Sequence, residues 1–306
     1  MLKNKIIITG SKGLIGSSLK NSLRRIGYQV HGIDNAFKVG HVEYGDIQDY
    51  ALLESLALKC TGIVHLAGTS RVIDGEKNPS DCWKNNVEGT QKVLNAASNS
   101  PNNPWIIYAS SREVYGQQEA LPVKEDSPLI PLNIYARSKV AAEKLVSAYR
   151  SKGLQTSIVR FSNVYGSIKD HSDRVIPAFC RTAALGGTIR IDGGQNVFDF
   201  THIDDVTNGV IRIIEKLQAK HFDLPAIHFT SGQGTTLLQA AKLAASISRK
   251  NINFSYAPSR SFDVNTFYGD PTRAEHLLGW KAKTSIQEGM SKFITDFIEH
   301  HSEVIA

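Results

Sequence analysis

The sequence predicts an α/β protein built on a doubly wound parallel sheet, with a smaller α/β region interleaved in the second half of the chain. Short β-branched runs alternate with amphipathic helical patterns over the first two thirds. Repeated strand–helix units form parallel sheets that are covered by helices on both faces. After Gly166 this rhythm changes, yet no linker rich in proline, serine or glycine divides the chain. The second region is therefore expected to be a cap interleaved with the first domain.

Each predicted element rests on a local pattern. The run Lys5–Thr9 is β-branched and bounded by glycine, as in a buried parallel strand, and the helical pattern after it ends at Gly27, a typical C-cap residue. The other predicted strands are Gln29–Ile33, Ile63–Leu66, Trp105–Ala109, Ser157–Phe161, Thr188–Ile191 and Ala226–Thr230. The predicted helices are Leu14–Ile26, Asp81–Ser98, Ile134–Lys152, Arg174–Leu185, Asp204–Leu217, Thr236–Ser248 and Ile286–His300.

Composition and charge exclude several classes of protein. The 306 residues are 41% hydrophobic and 21% charged, which is typical of folded globular proteins and excludes a largely disordered chain. The net charge of +6 comes without a long basic run, so no nucleic-acid partner is expected. The cysteines Cys60, Cys82 and Cys180 form no CxxC pair, so neither a metal site nor a disulfide framework is indicated. No apolar stretch approaches the roughly 20 residues that span a bilayer, and the N-terminal apolar run is too short for a signal peptide, so we expect a cytoplasmic protein with no membrane partner.

A glycine-rich loop follows the first predicted strand. It reads Thr9-Gly10-Ser11-Lys12-Gly13-Leu14-Ile15-Gly16. Glycines permit a tight turn, a close approach of the backbone to a pyrophosphate and close packing of helix on strand, and the positive end of the next helix attracts the phosphates. On the loop alone, an ordinary glycine-rich turn is the alternative. Its place between a first strand and a first helix favours a Rossmann-type site for a dinucleotide.

An aspartate follows the second predicted strand. The carboxylate of Asp34 can accept hydrogen bonds from an adenosine ribose and would repel a 2′-phosphate, so we predict NAD rather than NADP. The alternative is a solvated turn residue. Asp46 and Ile47 follow a third short predicted strand and are expected to flank the adenine.

A serine, a tyrosine and a lysine are the candidate catalytic residues. Tyr135 and Lys139 share one face of a predicted helix, where a nearby ammonium would lower the tyrosine pKa from its usual value near 10. Tyr135 is then a candidate general base, although a tyrosine and a lysine at this spacing also occur by chance. Ser111 strengthens the case because it lies at the carboxyl end of a predicted strand, where open α/β sheets bind ligands.

Together these motifs resemble the extended short-chain dehydrogenases/reductases, specifically the NAD-dependent nucleotide-sugar epimerase/dehydratase family. The matching segments, which follow the family's order over nearly the whole chain, are residues 9–16, 34–35, 65–68, 86–90, 110–116, 135–139, 160–166, 199–205 and 270–274.

The resemblance implies residue roles. Ser111, Tyr135 and Lys139 would form the catalytic triad. The residues implied to hold NAD are Gly10, Gly13, Leu14, Ile15, Gly16, Asp34, Asn35, Asp46, Ile47, Leu66, Ala67, Gly68, Asn86, Tyr135 and Lys139. Asn163 and Arg260 match residues that contact the diphosphate of the sugar nucleotide, although Arg260 could also be a solvated loop residue.

Two departures from the family pattern leave the substrate open. Many relatives carry an arginine, a phosphate contact, immediately before the Asp199-Phe200 pair, and here Phe198 stands in that place. The segment Thr69-Ser70-Arg71 after Gly68 is also not the commonest version.

The resemblance also implies the first chemical step. Tyr135 would take the proton of a sugar hydroxyl, commonly at C4, while the C4 hydride passes to NAD to give a 4-keto sugar. Return of the hydride to the other face is epimerisation, loss of water from C5 and C6 is 4,6-dehydration, and loss of a C5 carboxylate is decarboxylation. We predict a nucleotide-sugar 4-epimerase that acts on a UDP-sugar. A dehydratase, a decarboxylase or a 4-keto reductase is the alternative, and the retained triad disfavours an inactive NAD-binding protein.

The two residues after Ser111 bear on this choice. Related 4,6-dehydratases carry an Asp-Glu pair there, in which aspartate protonates the leaving hydroxyl and glutamate takes the C5 proton. This chain has Arg112-Glu113, and an arginine with a pKa above about 12 cannot donate that proton. Arg112 is instead expected to bind substrate. Glu113 is either a C5 base or a structural carboxylate paired with Arg112 or Arg137.

Domains and assembly complete the expectations. Residues 1–166 with 196–230 are expected to form the NAD-binding domain, and residues 167–195 with 231–306 the nucleotide-sugar-binding domain. The predicted helices Asp81–Ser98 and Ile134–Lys152 match the pair that forms a four-helix dimer interface in relatives, so a homodimer is expected.

Overall fold

A computed structural model describes residues 5–220, 224–260, 262 and 264–305. The predicted domain ranges also include residues 1–4, 221–223, 261, 263 and 306, which lie outside the described residues. The strands are β1 (Lys5–Thr9), β2 (Gln29–Ile33), β3 (Gly62–His65), β4 (Trp105–Ser111), β5 (Thr156–Phe161), β6 (Asn163–Tyr165), β7 (Gly187–Asp192), β8 (Val197–His202), β9 (Ile227–Phe229), β10 (Gly234–Thr236) and β11 (Ile252–Ala257). The α-helices are α1 (Leu14–Arg25), α2 (Tyr50–Ala57), α3 (Val72–Lys77), α4 (Pro79–Trp83), α5 (Gly89–Asn99), α6 (Ile134–Ser151), α7 (Val175–Leu185), α8 (Ile203–Gln218), α9 (Leu237–Ile247), α10 (Thr272–Leu278) and α11 (Ile286–Ile305).

The central sheet is parallel throughout. Among the described residues it contains six strands in the order β2-β1-β3-β4-β5-β9. The chain places β2 on one side of β1 and β3 on the other, so the strand order reverses beside β1. Open α/β sheets bind ligands outside the carboxyl ends of their strands at such a switch point. The predicted doubly wound, Rossmann-type sheet is confirmed.

Strand β1 shows how the sheet buries both faces. Ile6 and Ile8 pack with Leu19 of α1 and Val210 of α8, whereas Ile7 lies on the opposite face in a cluster with residues of α2, α5 and α6. Successive side chains of a strand point to opposite faces, so a strand covered on both sides is apolar at every position. This accounts for the uninterrupted isoleucine run of β1.

The second region builds an apolar cluster of its own. Strand β7 pairs in parallel with β11, and helices α7, α9 and α11 contribute to the same cluster. Strand β8 pairs in parallel with β6 and antiparallel with β10. Helix α10 and Trp280 pack on the central-sheet cluster instead. Within the described ranges, no helix combines the length and the apolar character needed to cross a membrane.

One predicted helix is wrong in its continuity. The pattern over Asp81–Ser98 predicts an unbroken helix, but α4 ends at Trp83, a π-helical turn covers Lys84–Glu88, and α5 begins at Gly89. The wider turn holds Asn86 in the interior, where its Nδ2 donates to Ser138 Oγ at 2.9 Å. A side-chain contact with α6 therefore accompanies the interruption.

The short strand predicted before Asp46 is also wrong. Residues 35–45, all of which are described, make only an isolated bridge between Asp34 and Tyr44. Val39 and Val42 are 81% and 79% exposed, so the apolar pattern there has nothing to pack against. The other predicted elements are present with ends shifted by one or two residues, except that α11 continues to Ile305. The elements that the sequence patterns did not predict are α2, α3, α10, β6, β8, β10 and β11.

A buried ion pair ties helix α6 to strand β5. Arg160 Nη2 lies 2.7 Å from Glu143 Oε2, and Arg160 Nε donates to Glu143 Oε1 at 2.9 Å. Ser110 Oγ donates to the same Oε1, and Arg160 Nη1 donates to Tyr115 Oη and to the carbonyl oxygen of Glu125. The pair therefore has hydrogen-bond partners besides itself, which a buried charge pair needs.

Candidate active site

One cavity of about 540 Å³ brings most of the predicted site residues together. Its lining includes the glycine-rich loop, the ends of β2, β3 and β4, the first turns of α6, and residues after β5 and in β8. The predicted residues that line it are Gly10, Gly13, Leu14, Ile15, Gly16, Asp34, Asn35, Asp46, Ile47, Leu66, Ala67, Gly68, Ser111, Arg112, Glu113, Tyr135, Lys139, Asn163 and Arg260. Asn86 is not among them; its neighbour Asn85 is.

The glycine-rich loop has the shape and charge of a phosphate cradle. Gly10 has φ +72°, and a Cβ there would lie 2.8 Å from the backbone nitrogen of Ala67. A Cβ on Gly16 would lie 2.1 Å from the carbonyl oxygen of Gly10. Helix α1 then begins without a side-chain cap and without an acidic residue in its first turn, which leaves backbone N–H groups free for an anion. These features fit the diphosphate of a dinucleotide.

Asp34 is held in place beside the loop. Its Oδ2 accepts a hydrogen bond from the backbone N–H of Lys12 at 3.0 Å, and its Oδ1 accepts one from Ala36 at 2.9 Å. Asp46 accepts from Asn35 Nδ2 at 3.1 Å, which links the other predicted adenosine contacts to the same wall. A carboxylate fixed by backbone donors is preorganised to accept from ribose hydroxyls.

Replacing Asp34 with alanine is expected to weaken the preference for NAD over NADP by about 10- to 100-fold, the value of a hydrogen bond to a charged group. The variant loses the ribose acceptor and the charge that repels a 2′-phosphate. Lys12 Nζ, which donates to the carbonyl oxygen of Ala36 at 2.6 Å, remains close enough to attract that phosphate. Dissociation constants for both dinucleotides test this, with the remote surface change Asp192→Ala as control. An unchanged ratio in the Asp34 variant would remove the carboxylate from the cofactor site.

Asn86 supports the cavity wall from behind. Gly68 has φ +148°, and a Cβ there would lie 2.4 Å from Asn86 Oδ1. Asn86 Nδ2 donates to the carbonyl oxygen of Thr69 at 3.2 Å, while Oδ1 has no hydrogen-bond partner among the described residues. The residue therefore fixes the path of the loop after β3, and the structure does not place it on the cavity surface.

The candidate catalytic residues converge at the carboxyl end of β4. Ser111 ends that strand, and Tyr135 lies in the first turn of α6, one turn before Lys139. Ser111 lies beside the Tyr135 hydroxyl and lowers the pKa of this phenol. Lys139 Nζ lies 5.8 Å from the centroid of the Tyr135 ring and donates to the carbonyl oxygen of Ala109 at 2.9 Å. The helix start is fixed by Asn133, whose side chain caps the N–H of Ala136.

Burial controls the acidity of both groups. Burial raises the pKa of Tyr135 from 10.0 to about 12, and the hydrogen bond with Ser111 offsets only part of this effect. Burial lowers the pKa of Lys139 from 10.5 to about 8. The sequence-based prediction that the pKa of Tyr135 lies below its usual value is therefore wrong for the protein alone, because loss of water raises this pKa by more than the Ser111 hydroxyl lowers it.

The lowered pKa of Lys139 gives stability a specific pH dependence. Its proton is bound less tightly in the folded protein, with a pKa of about 8, than in the unfolded chain, with a pKa of 10.5. The cost of burying the ammonium is fully present below the folded pKa and disappears as the pH rises through this interval. The free energy of unfolding of the wild type is expected to rise over that interval relative to Lys139→Met. Urea unfolding at several pH values measures the difference, and parallel profiles for the two proteins would contradict it.

Glu113 has both carboxylate oxygens engaged. Its Oε1 lies 2.7 Å from Arg112 Nη2, and its Oε2 accepts from Asn133 Nδ2 at 3.1 Å. Of the two arginines predicted as partners, the structure pairs Glu113 with Arg112. This arrangement favours the structural role of Glu113 over that of a free base.

The sequence patterns gave no site role to a set of charged residues on the cavity wall. Arg71 follows β3 and forms a salt bridge with Asp173, and Arg174 lies 3.6 Å from Asp170. All four side chains line the cavity. They belong to loops without a recognised motif. For Asp170, Asp173 and Arg174, the available signal was the dense charge of residues 169–174, shortly after the Tyr165-Gly166 pair.

Fold and cavity together define a dinucleotide-binding enzyme of the α/β class. A family model described as the NAD dependent epimerase/dehydratase family matches residues 6–224, and the chain belongs to this family. That membership confirms the resemblance found in the sequence and the predicted cofactor, NAD.

Individual relatives show which proteins of this family the chain is similar to. A UDP-glucose 4-epimerase from Lactobacillus helveticus is 29% identical, over 91% of this chain and 92% of its own. A UDP-glucuronic acid decarboxylase 1 from Danio rerio is 27% identical, over 98% of this chain and 75% of its own. Among solved structures, a UDP-glucose 4-epimerase from Thermotoga maritima with UDP-glucose superposes with a TM-score of 0.89 at 27% identity, covering 97% of this chain and 99% of its own.

Proposed function

We propose that the protein is an NAD-dependent nucleotide-sugar 4-epimerase whose substrate is a UDP-sugar. The observation that carries the proposal is the convergence of Ser111, Tyr135 and Lys139 on the cavity that also contains the glycine-rich loop. The similarity to UDP-glucose 4-epimerases over almost the full chain supports it.

The proposed roles follow from the positions of the side chains. Ser111 holds the C4 oxygen of the sugar, and Tyr135 in its phenolate form removes the proton from that oxygen and later returns it. Lys139, buried in the same wall, places a positive charge beside the phenol when it is protonated. NAD supplies an acceptor for the C4 hydride that gives the hydride back within the same turnover.

The surroundings of Glu113 favour epimerisation over dehydration. Dehydration across C5 and C6 needs a proton donor and a base at residues 112 and 113. Arg112 cannot donate, and Glu113 is bound on both oxygens by Arg112 and Asn133. A cavity without a free acid and base at this position supports simple oxidation and re-reduction at C4.

Incubation with a panel of UDP-, GDP- and dTDP-sugars, with products resolved by NMR, tests the proposal. C4 epimers of a UDP-sugar are expected to interconvert without lasting absorbance from reduced nicotinamide. Release of carbon dioxide, loss of water or stoichiometric consumption of reduced cofactor would overturn it. The Tyr135→Phe protein serves as the matched control.

We also propose a homodimer formed through α5 and α6. These helices pack side by side. Trp83 ends α4, the helix that the π-helical turn joins to α5, and it is 44% exposed. Light scattering at micromolar concentration measures the assembly, and a monomer would contradict it without affecting the enzymology. A cytoplasmic location is proposed in addition, supported by the unpaired thiols of Cys60, Cys82 and Cys180.

The proposed division into domains keeps the ranges derived from the sequence. Residues 1–166 with 196–230 are proposed to bind NAD, and residues 167–195 with 231–306 to bind the nucleotide sugar. The separate apolar cluster around α7, α9 and α11 supports a second unit. Helix α10 is the part of that unit that packs on the central sheet.

A further inference from the structure

Arg112 is a buried arginine, and one nitrogen of its guanidinium has no hydrogen-bond partner among the described residues. It is 7% exposed, and it lines the cavity directly after Ser111. Its Nη2 pairs with Glu113, and its Nε donates to Asn163 Oδ1 at 3.0 Å. Nη1 is buried without a hydrogen-bond partner among the described residues. Unsatisfied buried donors are rare, and an acceptor from outside the chain is one explanation for such a group.

Two aromatic rings fix the plane of this guanidinium. Its central carbon lies 4.7 Å from the centroid of the Phe198 ring and 5.5 Å from that of Phe267. Contact with both rings removes water from the charge and limits rotation of the side chain. Phe198 is thus a platform for Arg112, and it stands at the position where the sequence comparison expected an arginine.

Two other arginines that line the cavity have carboxylate partners. Arg71 and Arg174 face the carboxylates of Asp173 and Asp170, and both are more exposed than Arg112. Among the arginines that line the cavity in the described chain, Arg112 is the one with a buried amino group that lacks an acceptor. Its direct partner Asn163 is itself a cavity residue, so the guanidinium and the amide form one polar surface.

We propose that Arg112 binds phosphoryl oxygens of the substrate's diphosphate, and that Arg112 and Phe198 together replace an arginine at position 198. The inference rests on the proposed function, which places the sugar C4 at Ser111 and the diphosphate on the other side of the sugar ring. A charged donor stabilises a diphosphate that is taken out of water, and a guanidinium donates to phosphoryl oxygens with more than one N–H. Glu113 holds the guanidinium for this contact by occupying its Nη2.

Binding of nucleoside diphosphates to the NAD-loaded enzyme tests the proposal by calorimetry. The affinities of the wild type for UDP, dTDP and GDP are compared first. The variants are then tested with the diphosphate that binds most tightly and with the nucleoside from which it derives. Arg112→Gln is expected to weaken binding of the diphosphate by about 10- to 100-fold and to leave binding of the nucleoside unchanged. The exposed change Arg190→Gln is the matched control, and cooperative thermal unfolding shows that each variant is folded.

Two further variants separate the phosphate contact from side effects. Arg112→Gln combined with Glu113→Gln removes the carboxylate that the single change leaves unpaired, and the same selective loss is expected. Phe198→Arg added to Arg112→Gln is expected to restore most of the diphosphate affinity. Equal losses for nucleoside and diphosphate, or a loss seen only with the complete sugar nucleotide, would overturn the proposal. Binding is measured without turnover, so the two proposals can fail separately. If Arg112→Gln loses affinity selectively for the diphosphate while the wild type epimerises no sugar nucleotide, only the proposed function is contradicted.

Discussion

The Tyr135→Phe enzyme is expected to turn over its nucleotide sugar about 10²- to 10⁴-fold more slowly than the wild type, the usual value of a positioned general base. The hydroxyl is the only group removed, and it is the polar group of Tyr135 in the cavity that Ser111 also lines. Ring packing and the contact of Lys139 with the carbonyl oxygen of Ala109 do not depend on that hydroxyl. NAD affinity and thermal stability should therefore stay close to those of the wild type.

Steady-state rates and NAD binding are measured on the same preparations. Arg137→Gln, an exposed change on the same helix, controls for effects of altering α6. If Tyr135→Phe keeps a substantial fraction of the wild-type rate, another group moves the proton and the assignment of the base fails. If it loses NAD together with activity, the tyrosine has a binding role that the proposed mechanism does not give it.

Glu143→Ala is expected to destabilise the protein by about 3–5 kcal/mol, because it leaves the buried guanidinium of Arg160 without its counter-charge. Both side chains are almost fully buried, and Ser110 donates to the same carboxylate. Denaturant unfolding measures the loss. The exposed pair of Arg190 and Asp192 provides the comparison, since Asp192→Ala should cost no more than about 1 kcal/mol.

A second change separates lost charge pairing from lost packing. Arg160→Met in the Glu143→Ala background removes the orphaned charge, so the double variant is expected to be more stable than Glu143→Ala alone. If the double variant is less stable than either single variant, the two losses add. In that case packing, and not an uncompensated charge, explains the effect of the single change.

The parts of the fold that were predicted from the sequence are those set by local pattern. The isoleucine run of β1 and the glycine-rich loop each contain their own signal, because strand burial and tight turns depend on neighbouring residues. The π-helical turn at Lys84–Glu88 contains no such signal. It goes with the hydrogen bond from Asn86 to Ser138, which lies far along the chain in α6.

The candidate site, like the fold, has features that the sequence predicts and features that it does not. The meeting of Ser111, Tyr135 and Lys139 in one cavity could be predicted, because these residues stand in recognisable motifs. The acidity of Tyr135 could not, since it depends on how completely the folded chain excludes water from the phenol. The sequence allowed either Arg112 or Arg137 as the partner of Glu113. In the structure, the turn after β4 brings Arg112 into a salt bridge with Glu113.

The salt bridge between Arg71 and Asp173 joins a loop of the central sheet to the segment that leads into α7. Asp173 is largely exposed, so the pair contributes little to holding these two parts of the chain together. Both side chains line the cavity, so an anionic ligand that enters it passes close to these two opposite charges. Dissolved ions screen such surface attractions, so the speed with which an anionic ligand enters should vary with ionic strength even where its final affinity varies less.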